Sequence, residues 1–222
     1  MNLNINKLID HTLLKPEATS QQIATLCQEA LEHNFASVMV NPSRVPQCVE
    51  LLKDSEVLVA TVIGFPLGAT STQSKIDEVK NALKDGAQEI DMVLNIGFLK
   101  EGKTAEVIAE IKAIKALLPD KILKVIIETA LLSDDEKITA CHCVSEAKAD
   151  FIKTSTGFST HGATVEDVAL LRKHVDKNIE VKAAGGVRSY EDLLKMVDAG
   201  ATRIGTSSGV KLMKKDPSIT SY

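Results

Sequence analysis

Arginine is scarce in this chain of 222 residues, with only Arg44, Arg172, Arg188 and Arg203 beside a much larger set of lysines. A formal charge of -4 and a pI of about 5.8 argue against an electrostatic nucleic-acid binder. No run approaches the roughly 18 apolar residues of a membrane span, so no membrane partner is expected. The opening MNLNINKLID lacks a basic n-region and an apolar h-region; no signal peptide is expected, and the chain is placed in the cytoplasm. Cysteines at 27, 48, 141 and 143 form none of the CxxC pairs of structural zinc sites. Cys141-His142-Cys143 lies in a helical stretch where the two cysteines point to different sides, so reduced thiols are expected rather than a metal. The histidines do not converge either: His33, His142 and His174 fall in helices, His11 in a strand and His161 in a glycine-rich loop. No metal and no cofactor is expected. No GxGxxG, internal repeat, low-complexity tract or charge-block linker marks a nucleotide-binding unit or a second domain.

What is there is alternation. Short apolar segments read as strands near 7–12, 35–40, 57–63, 88–95, 122–128, 150–155, 179–184 and 202–206. Helical patterns fill about 19–33, 43–53, 71–85, 102–117, 134–147, 164–175, 189–199 and 208–214. Thr19 or Ser20, Ser133 with Glu136, and Ser189 with Asp192 are start signals; Gly86 and Gly200 are stop signals. Eight strands alternating with eight helices predict an α/β fold, a single (β/α)8 TIM barrel over 1–222, with 215–222 as a C-terminal tail.

Strand parity then places charge on the inside. In Glu89–Asn95 the apolar set Ile90, Met92 and Leu94 faces the helices, which turns Glu89, Asp91, Val93 and Asn95 inward. The same parity sends Lys153 of DFIKTS inward, and Glu180 and Lys182 of IEVKAA. Each charge alone fits a buried structural ion pair. Together they are unusual, because barrel interiors are filled mainly by branched apolar side chains. Lys153 and Lys182 stand on neighbouring strands, so their ammonium groups approach to roughly 6 Å. At an effective dielectric near 20 they repel by about 3 kcal/mol, roughly a hundredfold in proton affinity. Desolvation acts in the same direction. A neutral lysine amine is a nucleophile toward carbonyls, and Asp91 is placed to shuttle protons. Either lysine satisfies this reading.

Phosphate has an expected place. Barrels of this type often hold it with the loops after strands 7 and 8 and a short helix N-terminus. Here those loops carry Gly185-Gly186 beside Arg188, and Ser207-Ser208, while Thr154-Ser155-Thr156-Gly157 follows the neighbouring strand.

The motifs IDHTLLKP, NPSRV, VIGFPLGATSTQSKIDEV, EIDMVLNIG, KVIIETALL, DFIKTSTGF, KAAGGVR and IGTSSG run through nearly the whole chain. With KTSTGF and KAAGGVR as the most specific, the chain resembles the deoxyribose-phosphate aldolase family of class I aldolases. The resemblance implies reversible cleavage of 2-deoxy-D-ribose 5-phosphate to acetaldehyde and D-glyceraldehyde 3-phosphate. It implies a Schiff base on Lys153, pKa perturbation by Lys182 and a proton relay by Asp91. It further implies phosphate binding by Thr156, Gly157, Gly185, Gly186, Ser207 and Ser208 with Arg188 nearby, and Asp10 and Thr12 lining substrate hydroxyls. The terminal Tyr222 is a candidate proton donor, and a homo-oligomer, dimer or tetramer, is expected. Two positions depart from the family pattern: Met39, where many members carry cysteine, and Phe158, where others carry lysine. A sugar-phosphate isomerase or epimerase, or a barrel that only binds a phosphorylated metabolite or a protein partner, are the alternative readings.

Overall fold

The computed structural model describes residues 4–187 and 189–215. Eight parallel strands close on themselves in sequence order: β1 (Ile9–Leu13), β2 (Ser37–Val40), β3 (Leu58–Ile63), β4 (Glu89–Val93), β5 (Ile122–Ile126), β6 (Phe151–Lys153), β7 (Glu180–Ala184) and β8 (Arg203–Thr206). Around them lie α1 (Ser20–Glu32), α2 (Val45–Leu52), α3 (Thr72–Lys84), α4 (Ile96–Lys100), α5 (Thr104–Lys115), α6 (Asp134–Glu146), α7 (Val165–His174), α8 (Tyr190–Asp198) and α9 (Gly209–Met213). This is the expected (β/α)8 barrel.

The helix starts follow the expected chemistry. Thr19 with Gln22, and Ser133 with Glu136, form reciprocal capping boxes, and Ser189 accepts from the Asp192 amide. Gly86 and Gly200 take positive φ just past α3 and α8, where a side chain would be strained.

Several boundaries differ from expectation by about two residues, β2 starting at Ser37 and β6 ending at Lys153 among them, and three are instructive. The first strand starts at Ile9, because Ile5–Leu8 forms a 3-10 turn ahead of it. The fourth ends at Val93: Asn95, expected to face the interior, instead accepts from the Phe98 amide at 3.1 Å and caps the additional helix α4. A short polar cap satisfies helix N–H groups that a longer strand would leave unpaired. The fifth strand stops at Ile126, and the chain reaches a left-handed turn at Glu128 (φ 55°). Apart from Lys215, the tail expected at 215–222 lies outside the described residues.

Parity holds across the barrel. Outward residues such as Val38, Ile90, Val125, Ile152, Val181 and Ile204 are fully buried beneath the helices in one continuous apolar layer. The inside is divided. Met39, Ala60 and Val62 of β2 and β3, with Leu14 and Phe65, make a separate apolar wall. The remaining strands fill the interior with charge.

Candidate active site

The two lysines are in register, with Lys153 of β6 beside Lys182 of β7. Both donate to the same atom, Asp91 Oδ2, at 2.9 Å from Lys153 and 2.7 Å from Lys182. Parallel pairing of in-register residues with equal parity puts both stems on one face, and Asp91 reaches them from β4.

Asp91 has a third partner. Lys124 of β5 meets its Oδ1 at 3.0 Å and also Glu89 Oε2 at 2.5 Å. Arg203 of β8 reaches Glu89 at 3.1 Å and Asp10 Oδ1 at 2.6 Å, and Asp10 Oδ2 lies 2.5 Å from Lys182. Ser37 donates to Asp10 at 2.6 Å. The ion pairs therefore close a ring of alternating charge: Glu89, Lys124, Asp91, Lys182, Asp10, Arg203 and back to Glu89. Lys153 hangs from this ring through Asp91 alone.

Sequence reasoning turned Glu89, Asp91, Lys153, Glu180 and Lys182 inward; it did not use Lys124 or Arg203. The signal was present, since ILKVI and TRIGT send Lys124 and Arg203 inward by the parity that found Lys153. Glu180, also expected inside, is only half-buried at the start of β7.

Burial is the largest influence on Lys153 and disfavours its charge. Asp91 opposes this, Lys182 and Lys124 reinforce it, and the pKa falls to about 8. Roughly a tenth of such an amine is free at pH 7. The repulsion by Lys182 expected from the sequence is therefore present, but desolvation exceeds it. Burial also opposes ionisation of Asp91 and Asp10. The surrounding cations overcome this, Lys124, Lys153 and Lys182 for Asp91 and chiefly Arg203 and Lys182 for Asp10, and both stay well below the usual carboxylate range. On Lys124, desolvation is outweighed by Asp91, Glu89 and Asp10, which hold its proton more firmly than in water.

Thr12 is buried beside this network, its hydroxyl donating to the Asp10 carbonyl at 2.8 Å. Asp10 is more enclosed than a position lining substrate hydroxyls suggests: it is fully buried, with Ser37, Lys182 and Arg203 around its carboxylate.

The loops at the C-terminal ends of β6, β7 and β8 carry the expected phosphate residues. Gly157, Gly185 and Gly186 all have positive φ (86°, 69° and 75°). The β6 and β7 loops are knitted together, with the Ala163 amide donating to the Ala184 carbonyl at 3.1 Å. Gly162, which sequence reasoning passed over, lets them touch: a Cβ there would lie 2.4 Å from the Gly185 carbonyl carbon. Thr156 uses its hydroxyl and its amide on the buried carboxylate of Glu128. Ser207 is exposed and Ser208 half-buried ahead of α9, with the Ser208 amide donating to Thr206 Oγ1 at 3.0 Å. Phe158, next to Gly157 in the β6 loop, meets Phe65 edge to face, with centroids 5.4 Å apart. Arg188 and Tyr222 lie outside the described residues.

The other candidates sort out structurally. Cys141 and Cys143, expected to point to different sides, are both buried, because α6 packs between α5 and α7 and against β6; burial pushes their thiols up to about 12 and about 11. Among the described residues no group of three or more His, Cys, Asp or Glu is arranged to hold a metal ion. None of the described helices is long and apolar enough to cross a membrane.

Residues 5–215 match the family model described as DeoC/LacD family aldolase. The chain belongs to that aldolase family. Among curated members it is 58% identical over 214 residues to the deoxyribose-phosphate aldolase of Carboxydothermus hydrogenoformans, covering 95% of this chain and 94% of that one. The Brevibacillus brevis deoxyribose-phosphate aldolase is 57% identical, over 95% of this chain and 96% of its own. Among solved structures, the putative deoxyribose-phosphate aldolase of Coccidioides immitis superposes with a TM-score of 0.93 at 45% identity, covering 95% of this chain and 85% of that one. A deoxyribose phosphate aldolase of Aeropyrum pernix, described as a tetramer, superposes at 0.89 with 33% identity, covering 96% and 91%. As a member of this aldolase family the chain is a carbon–carbon lyase.

Proposed function

We propose that the chain reversibly cleaves 2-deoxy-D-ribose 5-phosphate to acetaldehyde and D-glyceraldehyde 3-phosphate through a Schiff base on Lys153. The observation that carries the assignment is the difference between the two lysines. Lys182 is locked between Asp10 and Asp91 inside the ring and is fully buried, whereas Lys153 has one partner and a lowered pKa. A nucleophile must give up its proton and move toward a carbonyl, and Lys153 gives up one contact to do so.

The neutral amine attacks C1 of the open-chain sugar phosphate, and the carbinolamine loses water to leave a protonated imine. The C3 hydroxyl then loses its proton and the C2–C3 bond breaks. Its electron pair moves into the imine as an enamine while glyceraldehyde 3-phosphate departs. Protonation at C2 and addition of water release acetaldehyde and restore the amine. Asp91, with Lys182 on the same oxygen, is the group within reach for these proton transfers. Gly157, Gly185, Gly186, Ser207 and Ser208 take the phosphate, with Thr156 ordering the loop through Glu128 and Arg188 adjacent in sequence. Thr12, with Asp10 beneath it, borders the hydroxyls, and Tyr222 is retained as a candidate proton donor from the tail. The enzyme works in the cytoplasm as a homo-oligomer, a reading supported by the free cysteines and by the tetrameric relative.

The test is reductive trapping. Acetaldehyde with borohydride leaves an N-ethyl group on Lys153, read by peptide mass spectrometry, and activity on the sugar phosphate persists in chelator. An active enzyme with unmodified Lys153 overturns the assignment.

A further inference from the structure

The interior charges do not cancel when every lysine is protonated. The ring alternates three carboxylates (Asp10, Glu89, Asp91) with three cations (Lys124, Lys182, Arg203), each member bridging two of opposite sign. That ring is neutral by itself. Lys153 is the fourth cation, attached at an Asp91 already shared by Lys124 and Lys182.

We propose that Arg203 and Glu89, ring members that make no hydrogen bond or ion pair with Lys153, decide whether Lys153 keeps its proton by fixing the charge balance of the barrel interior. Both are positioning residues. Each is the first residue of its strand, at the end of the barrel opposite the glycine loops, and neither touches Lys153. The inference rests on the Schiff-base reading of Lys153 and asks what makes that amine available.

The surroundings of Lys153 support a charge-count account. It faces Asp91 from β4, Lys182 from β7 and Lys124 from β5, with Asp10 from β1, Glu89 from β4 and Arg203 from β8 behind them. From β2 and β3 the inward set, Ser37, Met39, Leu58, Ala60 and Val62, is uncharged. Glu180 is half-buried at the lower rim, and Glu128 is held by Thr156 with no ion pair among the described residues. The seven ring and pendant groups are nine-tenths or more buried apart from the partly exposed Arg203 side chain (11%), so bulk water screens them little. Arg203 stands two strands from Lys153, about 10 Å at ordinary strand spacing. One unit charge at that distance, with an effective dielectric near 20, moves a proton affinity by about tenfold.

The opposite signs of the two substitutions make the test. Acetic anhydride labels only the free amine, so its reaction with Lys153 across a pH series, read by peptide mass spectrometry on the full chain, reports the Lys153 midpoint without substrate. The unsubstituted protein is expected near 8. Arg203→Met leaves one carboxylate uncompensated, which Lys153 answers by holding its proton, and the midpoint rises by about one pH unit. Glu89→Gln lowers it by about the same amount, and the double variant returns it to within a few tenths of the starting value. A purely structural role for either residue does not produce shifts of opposite sign that cancel. Midpoints that stay fixed, or that both move the same way, overturn the proposal. If Arg203→Met does not fold, the isosteric Glu89→Gln decides alone, since an unmoved or raised midpoint is then sufficient to reject it. Borohydride trapping of the unsubstituted enzyme keeps the two readings apart: no acetaldehyde adduct on Lys153 removes the Schiff-base assignment, whereas an adduct with unshifted anhydride midpoints removes only the charge-balance account.

Discussion

Lys153 and Lys182 share one acceptor, Oδ2 of Asp91, from in-register positions on adjacent strands. Two cations on one oxygen are a poor arrangement for holding two protons. The consequence falls on Lys153, because Lys182 has Asp10 as a second partner.

Replacing Lys182 by Met removes one repelling charge and frees Asp91 to attract Lys153 more strongly. Both changes raise the Lys153 pKa from about 8. The acidic limb of the kcat/KM profile should move to higher pH, and activity at pH 7 should fall by two or more orders of magnitude as the relay is also lost. An unchanged profile shape rules out the perturbing role.

Lys153 should cost the enzyme stability. Burial first, then Lys182, hold its folded pKa near 8, while an unfolded lysine titrates at about 10.4. Between those values the unfolded chain binds more protons, so stability rises with pH through this window, and below it the native state carries a constant penalty. Lys153→Met removes the penalty with a side chain of similar length. The inactive variant should gain on the order of 2 kcal/mol at pH 7 and melt several degrees higher. A lower melting temperature contradicts the surplus-charge picture.

Gly162→Ala should separate the two halves of the substrate. Its Cβ would press on the Gly185 and Gly186 backbone, at 2.4 Å and 2.6 Å, and drive the two glycine loops apart. The expected result is a KM for the sugar phosphate raised about tenfold or more, with trapping of acetaldehyde on Lys153 unchanged. Equal losses in both assays would place Gly162 in the general scaffold.

Met39 is fully buried in the apolar wall, on the strand that lies across an eight-stranded barrel from Lys153. Met39→Ala leaves a cavity there and should destabilise by about 2–5 kcal/mol. The space opens on the side facing the amine, so the rate with propanal as donor should rise relative to acetaldehyde. An unchanged ratio assigns Met39 to packing alone.

Much of the site was readable from the chain because strand parity is a local property. Asp91, Lys153 and Lys182 each sit one position from a fully buried outward residue (Ile90 or Met92, Ile152, Val181), so an inward charge follows from two or three neighbours. Lys124 and Arg203 carried the same signal, each one position from a fully buried outward residue (Leu123 or Val125, Ile204). Asn95 was misplaced because a cap and an inward side chain look alike until the hydrogen-bond partner, here Phe98, is known. Lys75 was wholly unreadable: on helix α3 it resembles a surface lysine, yet it is fully buried and donates to Glu110 at 2.8 Å and to the end of β4 at 2.9 Å.

By itself, the chain's periodicity determined the barrel, the inward charges and the glycine loops, because side-chain direction and backbone freedom depend on nearest neighbours. Only the tertiary structure decided which charges meet. Closure of the barrel brings β8 back against β1, and with that contact Arg203 reaches Asp10, the ring completes, and Lys153 is left outside it, attached through Asp91. Partners separated by as many as 193 positions in the chain are set by the sum of all eight strand pairings, which no local pattern encodes.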